Sequence, residues 1–272
     1  MQNSLNSGNR ANDKFVELFS ETLSILEVGG YKDSLGRWHD IPTKFPGQRF
    51  YPTLKPTKNK KGISLSLPPK IYAQKIDTFQ KAKSMGPGSV VLNMASSFKP
   101  GGGVINGAKS QEEDLCRRSN LYFSLSHFIE RYPLPKFGGI YTPDVTIFRA
   151  PSSYNLLRKP YKCSVISFSA IRKPELIEKN FKKYIITLKG KIRGILRIAV
   201  LSKKSKLVLG AFGCGAYQNP PTLVAEAFRD VLNEDEFQKR FSEICFAILP
   251  DNRTGDKNFN EFSKIFNTIS YS

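Results

Sequence analysis

The stretch VVLNMASSFKPGGGVINGAKSQEEDLC, residues 90–116, holds in succession an apolar segment, a triple glycine and an acidic turn that opens an amphipathic run. It predicts a buried strand over Ser89 to Met94, a glycine loop at Gly101 to Gly103, and a helix from Gln111 to Ile129 with Leu115, Leu121, Tyr122 and Leu125 on its apolar face. In open α/β sheets ligands bind beyond the carboxyl ends of strands, where a strand hands over to a helix. Without Cβ atoms, these glycines let backbone N–H groups approach a phosphate or sugar closely.

A second stretch of the same design lies downstream. The strand Lys206 to Ala211 runs into GAFGCGAYQNPP, where Gly210, Gly213 and Gly215 permit the same approach before Pro221 opens a helix to Leu232. Neither loop has the Lys-Ser/Thr ending of a nucleotide P-loop or the G-x-G-x-x-G spacing of a dinucleotide fold, which argues against kinase-like and dehydrogenase readings. One such loop alone is more often a structural turn. Two, after separate strands of one sheet, point to a ligand cradle.

Working outward, further strands are expected near Tyr141 to Arg149, Cys163 to Ser169 and Glu243 to Leu249, with a last helix near Asn258 to Ile269. An amphipathic run with Phe15, Leu18, Phe19, Ile25 and Leu26 follows the cap residues Asn12 and Asp13 and predicts a helix stopped by Gly29-Gly30. Tyr31 to Pro69 is rich in Pro, Lys and aromatics and predicts extended loops with at most a short strand at Ile63 to Leu67. The long stretch after Pro174 has Ile185, Leu188, Ile192 and Ile195 on one face and Lys189, Arg193 and Arg197 on another; Gly190 and Gly194, at roughly 1 kcal/mol each against Ala, predict a kink or two helices. Strands alternating with helices mean an α/β layered fold with a largely parallel sheet. The 272 residues, 40% hydrophobic, fit one large domain.

Lys and Arg outnumber Asp and Glu by 42 to 23, a net charge of +19 that favours anionic partners such as nucleotides, polyphosphates or nucleic acid. From Lys179 to Ala225 there are ten basic residues and no acidic one; this is either a solvated basic face or a patch that draws an anion. Cys116, Cys163, Cys214 and Cys245 form no CxxC pair and imply neither a zinc site nor a disulfide framework, which fits a reducing, cytoplasmic setting. The polar N-terminus lacks the apolar core of a signal peptide, and no apolar run approaches the ~18 residues of a membrane span; secretion by an unconventional route would leave no such mark.

Gln111, Glu112 and Glu113 sit in the first turn of the helix after the triple glycine. Acidic residues there ordinarily complement the helix dipole, but their place after a ligand-type loop gives them a second reading. Neighbours on a helix diverge by about 100°, so the two carboxylates cannot face each other across one bond; one does the chemistry and the other positions. Cleaving a glycosidic bond needs a carboxylic acid to protonate the departing oxygen. A helix N-terminus opposes that protonation, whereas the adjacent Glu and a bound diphosphate favour it. His39 and His127 are the two histidines, which leaves little for a Ser-His-Asp or His-rich metal site. Carboxylate catalysis without metal or cofactor is the expectation.

These residues are where the chain resembles a known family. VLNMASSFKPGGGVINGAKSQEEDLCRRSNLYFSL is similar to the signature of bacterial-type poly(ADP-ribose) glycohydrolases, three glycines, a short spacer (here the seven residues Val104 to Ser110) and Gln-Glu-Glu. GAFGCGAYQNPP resembles that family's second, diphosphate-holding loop. The resemblance runs from about residue 89 to the C-terminus; residues 1–85 are less family-like and are expected to form an N-terminal extension of a single catalytic domain. It implies a macrodomain-like three-layer α/β/α sandwich with a mixed, largely parallel sheet. It further implies that Glu113 protonates the leaving oxygen and then activates water, and that Glu112 and Gln111 orient the terminal ribose. Gly101, Gly102, Gly103 and Val104 would hold that ribose and the diphosphate, and Gly213, Cys214, Gly215 and Ala216 would complete the cradle. Tyr217 would take the place of an aromatic packing on the ribose, Asn93 that of the macrodomain asparagine near the sugar, and Asp251, Asn252 and Phe259 would lie at the adenine. Cys116 and Cys214, with no partner histidine, are taken as packing residues.

The resemblance implies hydrolysis of the bond that joins ADP-ribose to poly(ADP-ribose) or to a modified protein or nucleic acid, by a monomer. A macrodomain that binds ADP-ribose without cleaving it is the alternative; retention of both Glu112 and Glu113 favours the enzyme. A third reading, a nucleic-acid-binding protein driven by the basic surplus, predicts affinity indifferent to ADP-ribose and steeply dependent on salt.

Overall fold

The computed structural model describes residues 2–57, 65–250 and 254–267. In chain order it contains α1 (Gln2–Val28), β1 (Gly30–Lys32), β2 (Trp38–Asp40), β3 (Arg49–Tyr51), β4 (Lys70–Gln74), α2 (Thr78–Met85), β5 (Ser89–Ala95), α3 (Gln111–Arg118) and α4 (Leu121–Ser126). There follow β6 (Gly139–Arg149), β7 (Leu156–Ser169), α5 (Glu178–Leu201), β8 (Lys206–Leu209), α6 (Pro221–Leu232), β9 (Glu243–Ala247) and α7 (Lys257–Phe266). Seven strands form one sheet in the order β3-β6-β7-β5-β8-β9-β4. The five from β7 to β4 run parallel, while β3 and β7 each pair antiparallel with β6. The sheet is thus mixed and largely parallel, as expected.

Side chains in a strand point alternately to its two faces, and both faces here are covered. Val90 and Leu92 of β5, Leu207 and Leu209 of β8, and Ile244 and Phe246 of β9 join Ile192 and Ile195 of α5, Phe228 of α6 and Phe262 of α7. Val91, Val208 and Cys245 face the other way, toward Phe19 of α1, Phe79 of α2, Leu115 of α3 and Leu121 of α4. The result is helix, sheet, helix. Asn93 shares the face of Val91, so it points toward α3, at the carboxyl end of the central strand.

Several elements depart from the expectations. The expected helix from Gln111 to Ile129 breaks at Ser119 and Asn120: Ser119 bridges to Ile147, and the Asn120 side chain accepts from Thr146 N at 2.8 Å and donates to the Pro42 carbonyl at 2.7 Å. Conversely, α5 runs unbroken through Gly190 and Gly194. The glycines are packing devices, since a Cβ would lie 2.7 Å from the Phe137 ring at residue 190 and 2.7 Å from the Phe168 ring at residue 194. The stretch 31–69 contains β1, β2 and β3 in place of loops alone; the expected strand Ile63 to Leu67 falls partly outside the described residues, and 65–67 are not in a strand. Residues 1–85 supply both edge strands of the main sheet, β3 and β4. Helix α1 also packs on α4, with Phe19 edge-on to Tyr122 at 5.0 Å, and on the loop before α3, where Gly107 backs onto the Asn12 carbonyl. Among the described residues no helix is long and apolar enough to cross a membrane.

Candidate active site

The carbonyl and amide of Gln111 are committed to the sheet. Its Oε1 accepts from Met94 N at 2.8 Å and its Nε2 donates to the Leu92 carbonyl at 2.8 Å. The side chain therefore clamps the first turn of α3 to β5, and whatever Gln111 contributes to a ribose comes through that placement. With the turn clamped, Glu112 and Glu113 diverge into two settings.

Glu112 is 3% exposed. Its Oε2 accepts from Ser96 N at 2.6 Å and its Oε1 from Asn93 Nδ2 at 3.2 Å. Burial pushes this carboxyl up to about 8, outweighing the Ser96 and Asn93 bonds that favour the charged form, with the Glu113 charge adding to the rise. At neutral pH Glu112 thus holds a proton. Glu112 is turned inward onto β5, where desolvation outweighs its hydrogen bonds.

Glu113, 7% exposed, is fixed through one oxygen. Gly103 N donates to its Oε1 at 2.9 Å, while Oε2 is buried and has no partner. Gly102 makes the close approach possible: it has a φ of +56°, and a Cβ there would stand 2.6 Å from Glu113 Oε1 and 3.1 Å from Glu112 Oε2. Val104 is fully buried under the loop. Asn93 donates to Ser167 Oγ at 3.0 Å, and its Oδ1 is buried without a partner. Two unpartnered acceptors, Asn93 Oδ1 and Glu113 Oε2, thus belong to one short network of Asn93, Glu112 and Glu113. Buried polar atoms are normally satisfied, so this pair is suited to accept from the hydroxyls of a sugar.

The second loop closes over the same place. Asn219 donates from Nδ2 to the Ile171 and Gly213 carbonyls at 2.7 and 3.0 Å, and Tyr184 Oη donates to its Oδ1 at 3.1 Å. Gly213, with a φ of +76°, packs so closely that a Cβ would lie 2.6 Å from Asn219 Nδ2. Tyr217 is half-buried, and burial together with the nearby Glu112 and Glu113 raises its hydroxyl above the usual value, which brings it to the two carboxyls. Around Gly215 an added Cβ would meet nothing within 4 Å. Cys214 and Cys116 are buried and free, and burial lifts both thiols, so they pack as expected. Phe259 is partly buried with Lys75 Nζ 5.0 Å above its ring, whereas Asp251 and Asn252 lie outside the described residues.

Sequence reasoning missed three contributors. Ser96 and Ser167 act through a backbone N–H and a hydroxyl, groups that carry no motif. Tyr132, from the segment before β6, has a buried hydroxyl without a partner, raised by burial and then by the Glu112 charge. The basic stretch is also revised. Lys189, Arg193 and Arg197 pair with Asp230, Glu234 and Glu236, all beyond the acid-free window, and Lys191 is buried against the Lys136 and Ser169 carbonyls. Much of that charge is structural.

A carboxyl presented at the end of the central strand, a glycine loop wrapped on it and a second glycine loop closing above define a macrodomain-type glycosidase site. Comparison with known proteins agrees: the family model of the microbial-type poly(ADP-ribose) glycohydrolase (PARG) catalytic domain matches residues 20–150. The poly(ADP-ribose) glycohydrolase of Thermomonospora curvata superposes with a TM-score of 0.83 at 28% identity, over 93% of this chain and 100% of that one. Its complex with the inhibitor ADP-HPD gives 0.81 at 28% identity, over 93% and 99%. The Deinococcus radiodurans enzyme in complex with ADP-ribose gives 0.69 at 30% identity, over 82% of this chain and 95% of that one. No curated protein matches the chain significantly. The chain belongs to the microbial-type poly(ADP-ribose) glycohydrolase family, glycosidases with a macrodomain-like fold.

Proposed function

We propose that this protein hydrolyses the glycosidic bond at the terminal ribose of poly(ADP-ribose), or of ADP-ribose on a protein or nucleic-acid acceptor, with Glu113 as general acid and then base. The observation that carries this is the state of Glu113: Oε1 is held by Gly103 N, and Oε2 is buried with its lone pairs unspent. Glu113 gives its proton to the leaving oxygen as the bond to the anomeric carbon breaks. A water then attacks that carbon and returns a proton to Glu113, releasing ADP-ribose and the acceptor hydroxyl. The bound diphosphate, anionic and close by, favours the protonated form at the start.

Neutral Glu112 and Asn93 take the ribose hydroxyls, Gly101 to Val104 wrap the ribose, and Gly213 to Ala216 receive the diphosphate through their backbone. Tyr217 packs on the sugar. Four free, buried cysteines suit a reducing cytoplasm, and the enzyme acts there as a monomer. Binding of ADP-ribose without cleavage is disfavoured by the build of Glu113, since a reader needs the loops and no buried acid.

The test compares ADP-ribose release from poly- and mono-ADP-ribosylated substrates by wild type and Glu113→Gln. Turnover should fall by ~10²–10⁴-fold while affinity for free ADP-ribose persists. Undiminished turnover in the variant would remove Glu113 from the mechanism.

A further inference from the structure

Lys191 is a buried lysine to which the reaction assigns no role. It is 5% exposed on α5, and its Nζ donates to the Lys136 carbonyl at 2.7 Å and to the Ser169 carbonyl at 2.9 Å. Both carbonyls belong to the frame of the site. Ser169 ends β7, and the residues after it carry the second glycine loop: a Cβ on Gly213 would stand 2.6 Å from Ala170 Cβ, the Ile171 carbonyl accepts from Asn219 Nδ2 at 2.7 Å, and Lys173 N donates to the Tyr217 carbonyl at 2.9 Å. Lys136 follows Leu134, whose N–H donates to the Ser97 carbonyl at 2.7 Å, next to the Ser96 amide that holds Glu112. One ammonium thus joins the exit of β7 to the segment that braces the exit of β5. Tyr184, two helical turns before Lys191 and so on the same face of α5, holds Asn219 of the same loop.

Two carbonyls need only neutral donors, and a buried charge without a counter-ion is costly. Lys191 has no ion-pair partner among the described residues; burial draws it down to about 8, and the like charge of Lys136 adds to the fall. Tyr184 and its neighbour Cys214 hold their protons well above that, raised by burial. Arg172 and Lys173, further along the exit of β7, are exposed, while Lys189, Arg193 and Arg197 on the other sides of α5 are taken by Asp230, Glu234 and Glu236. We propose that Lys191 is a positioning residue for the substrate diphosphate: its ammonium fixes the ledge that carries the second glycine loop and gives that loop a positive charge for the diphosphate to answer. This rests on the assignment of the diphosphate to that loop. The bound anion stabilises the charged ammonium, so Lys191 keeps its proton to higher pH in the complex than in the free protein. Affinity therefore falls once pH rises past the value at which the free protein gives that proton up.

The experiment measures Kd for free ADP-ribose with wild type, Lys191→Met and Lys191→Arg at about pH 7 and about pH 9.5, on either side of the Lys191 titration, with a thermal melt of each protein. Lys191→Met, uncharged and of similar length, should bind about tenfold more weakly than wild type at the lower pH, the scale of one pK unit, with a smaller deficit at the higher. Lys191→Arg keeps its charge at both pH values and should lose less affinity between them than wild type does. Glu112 titrates in the same range but is common to all three proteins, so it moves their curves together. A Lys191→Met protein that binds as wild type does at the lower pH, or that loses as much affinity as wild type between the two, overturns the proposal whatever its melt shows. Where Lys191→Met gives no cooperative melt, Lys191→Arg decides, and a fall equal to that of wild type overturns the proposal; loss of the fold in both variants makes Lys191 a residue of stability alone and overturns it too. A wild type that binds no ADP-ribose at either pH overturns the reading of the site itself, a result distinguishable from the others.

Discussion

Replacing Gly102 with alanine should cripple catalysis far more than it destabilises the fold. Its φ of +56° costs an L-residue on the order of 1–2 kcal/mol. For a chain of this size that corresponds to a fall in Tm of a few degrees, at about 2–4 °C per kcal/mol. The larger effect is local. The new Cβ would stand 2.6 Å from Glu113 Oε1, whereas a carbon and an oxygen settle at about 3.3 Å. The carboxyl must retreat by roughly 0.7 Å, the difference between those two distances, and in doing so strains its bond to Gly103 N. A misplacement near ~1 Å can cost ~10²-fold in rate, so kcat should drop by a factor of tens to a hundred. The assay is release of ADP-ribose from poly(ADP-ribose) at saturating substrate, with a thermal melt of the same preparation. A variant that melts a few degrees lower yet keeps kcat near wild type would refute the link between the glycine contact and the acid.

Other consequences can be measured separately. The Glu112 carboxyl holds its proton up to about 8 in the folded protein, against an ordinary value of 4.5. Unfolding therefore releases a proton in that window, so its contribution makes stability fall as pH rises from about 4.5 to about 8; denaturant melts should show that decline in wild type and lose it in Glu112→Gln. Asn219→Ala removes the staple between the Ile171 and Gly213 carbonyls and leaves Tyr184 Oη unpaired. It should cost about 1–3 kcal/mol in a denaturant melt and weaken ADP-ribose affinity in a titration. Gly194→Ala, which in an exposed helix would stabilise by about 1 kcal/mol, should instead lower Tm, because its methyl meets the Phe168 ring at 2.7 Å.

The two glycine loops and the central strand were legible because their signals are local: glycines between a strand and a helix, an apolar run that must be buried, carboxyls that open a helix. The strand β4 and helix α2 were not anticipated, since Lys70 and Gln74 bound a segment that follows a proline-rich stretch and the period of Thr78 to Met85 is short. The break between α3 and α4 is tertiary in origin, enforced by Asn120 reaching Thr146 and Pro42. Gly190 and Gly194 misled for the opposite reason, since propensity marked them as weak points and packing made them contacts. At the site, the residue types and a division of roles between the two carboxyls were visible, but their different surroundings were not. Those depend on which side chain turns in toward β5, and on Ser96, Ser167 and Tyr132, which meet it through the fold.

The amide clamp of Gln111 separates two things that sequence places side by side. Glu113 inherits its position from the strand, through Leu92 and Met94, and the glycine loop then fits itself to that carboxyl by one N–H. The residues that link these two anchors are themselves held, the Ala108 carbonyl by Arg117 at 2.7 Å and the Gly107 backbone against the Asn12 carbonyl of α1. A change in that link is therefore felt at Arg117 and at α1 before it reaches the carboxyl.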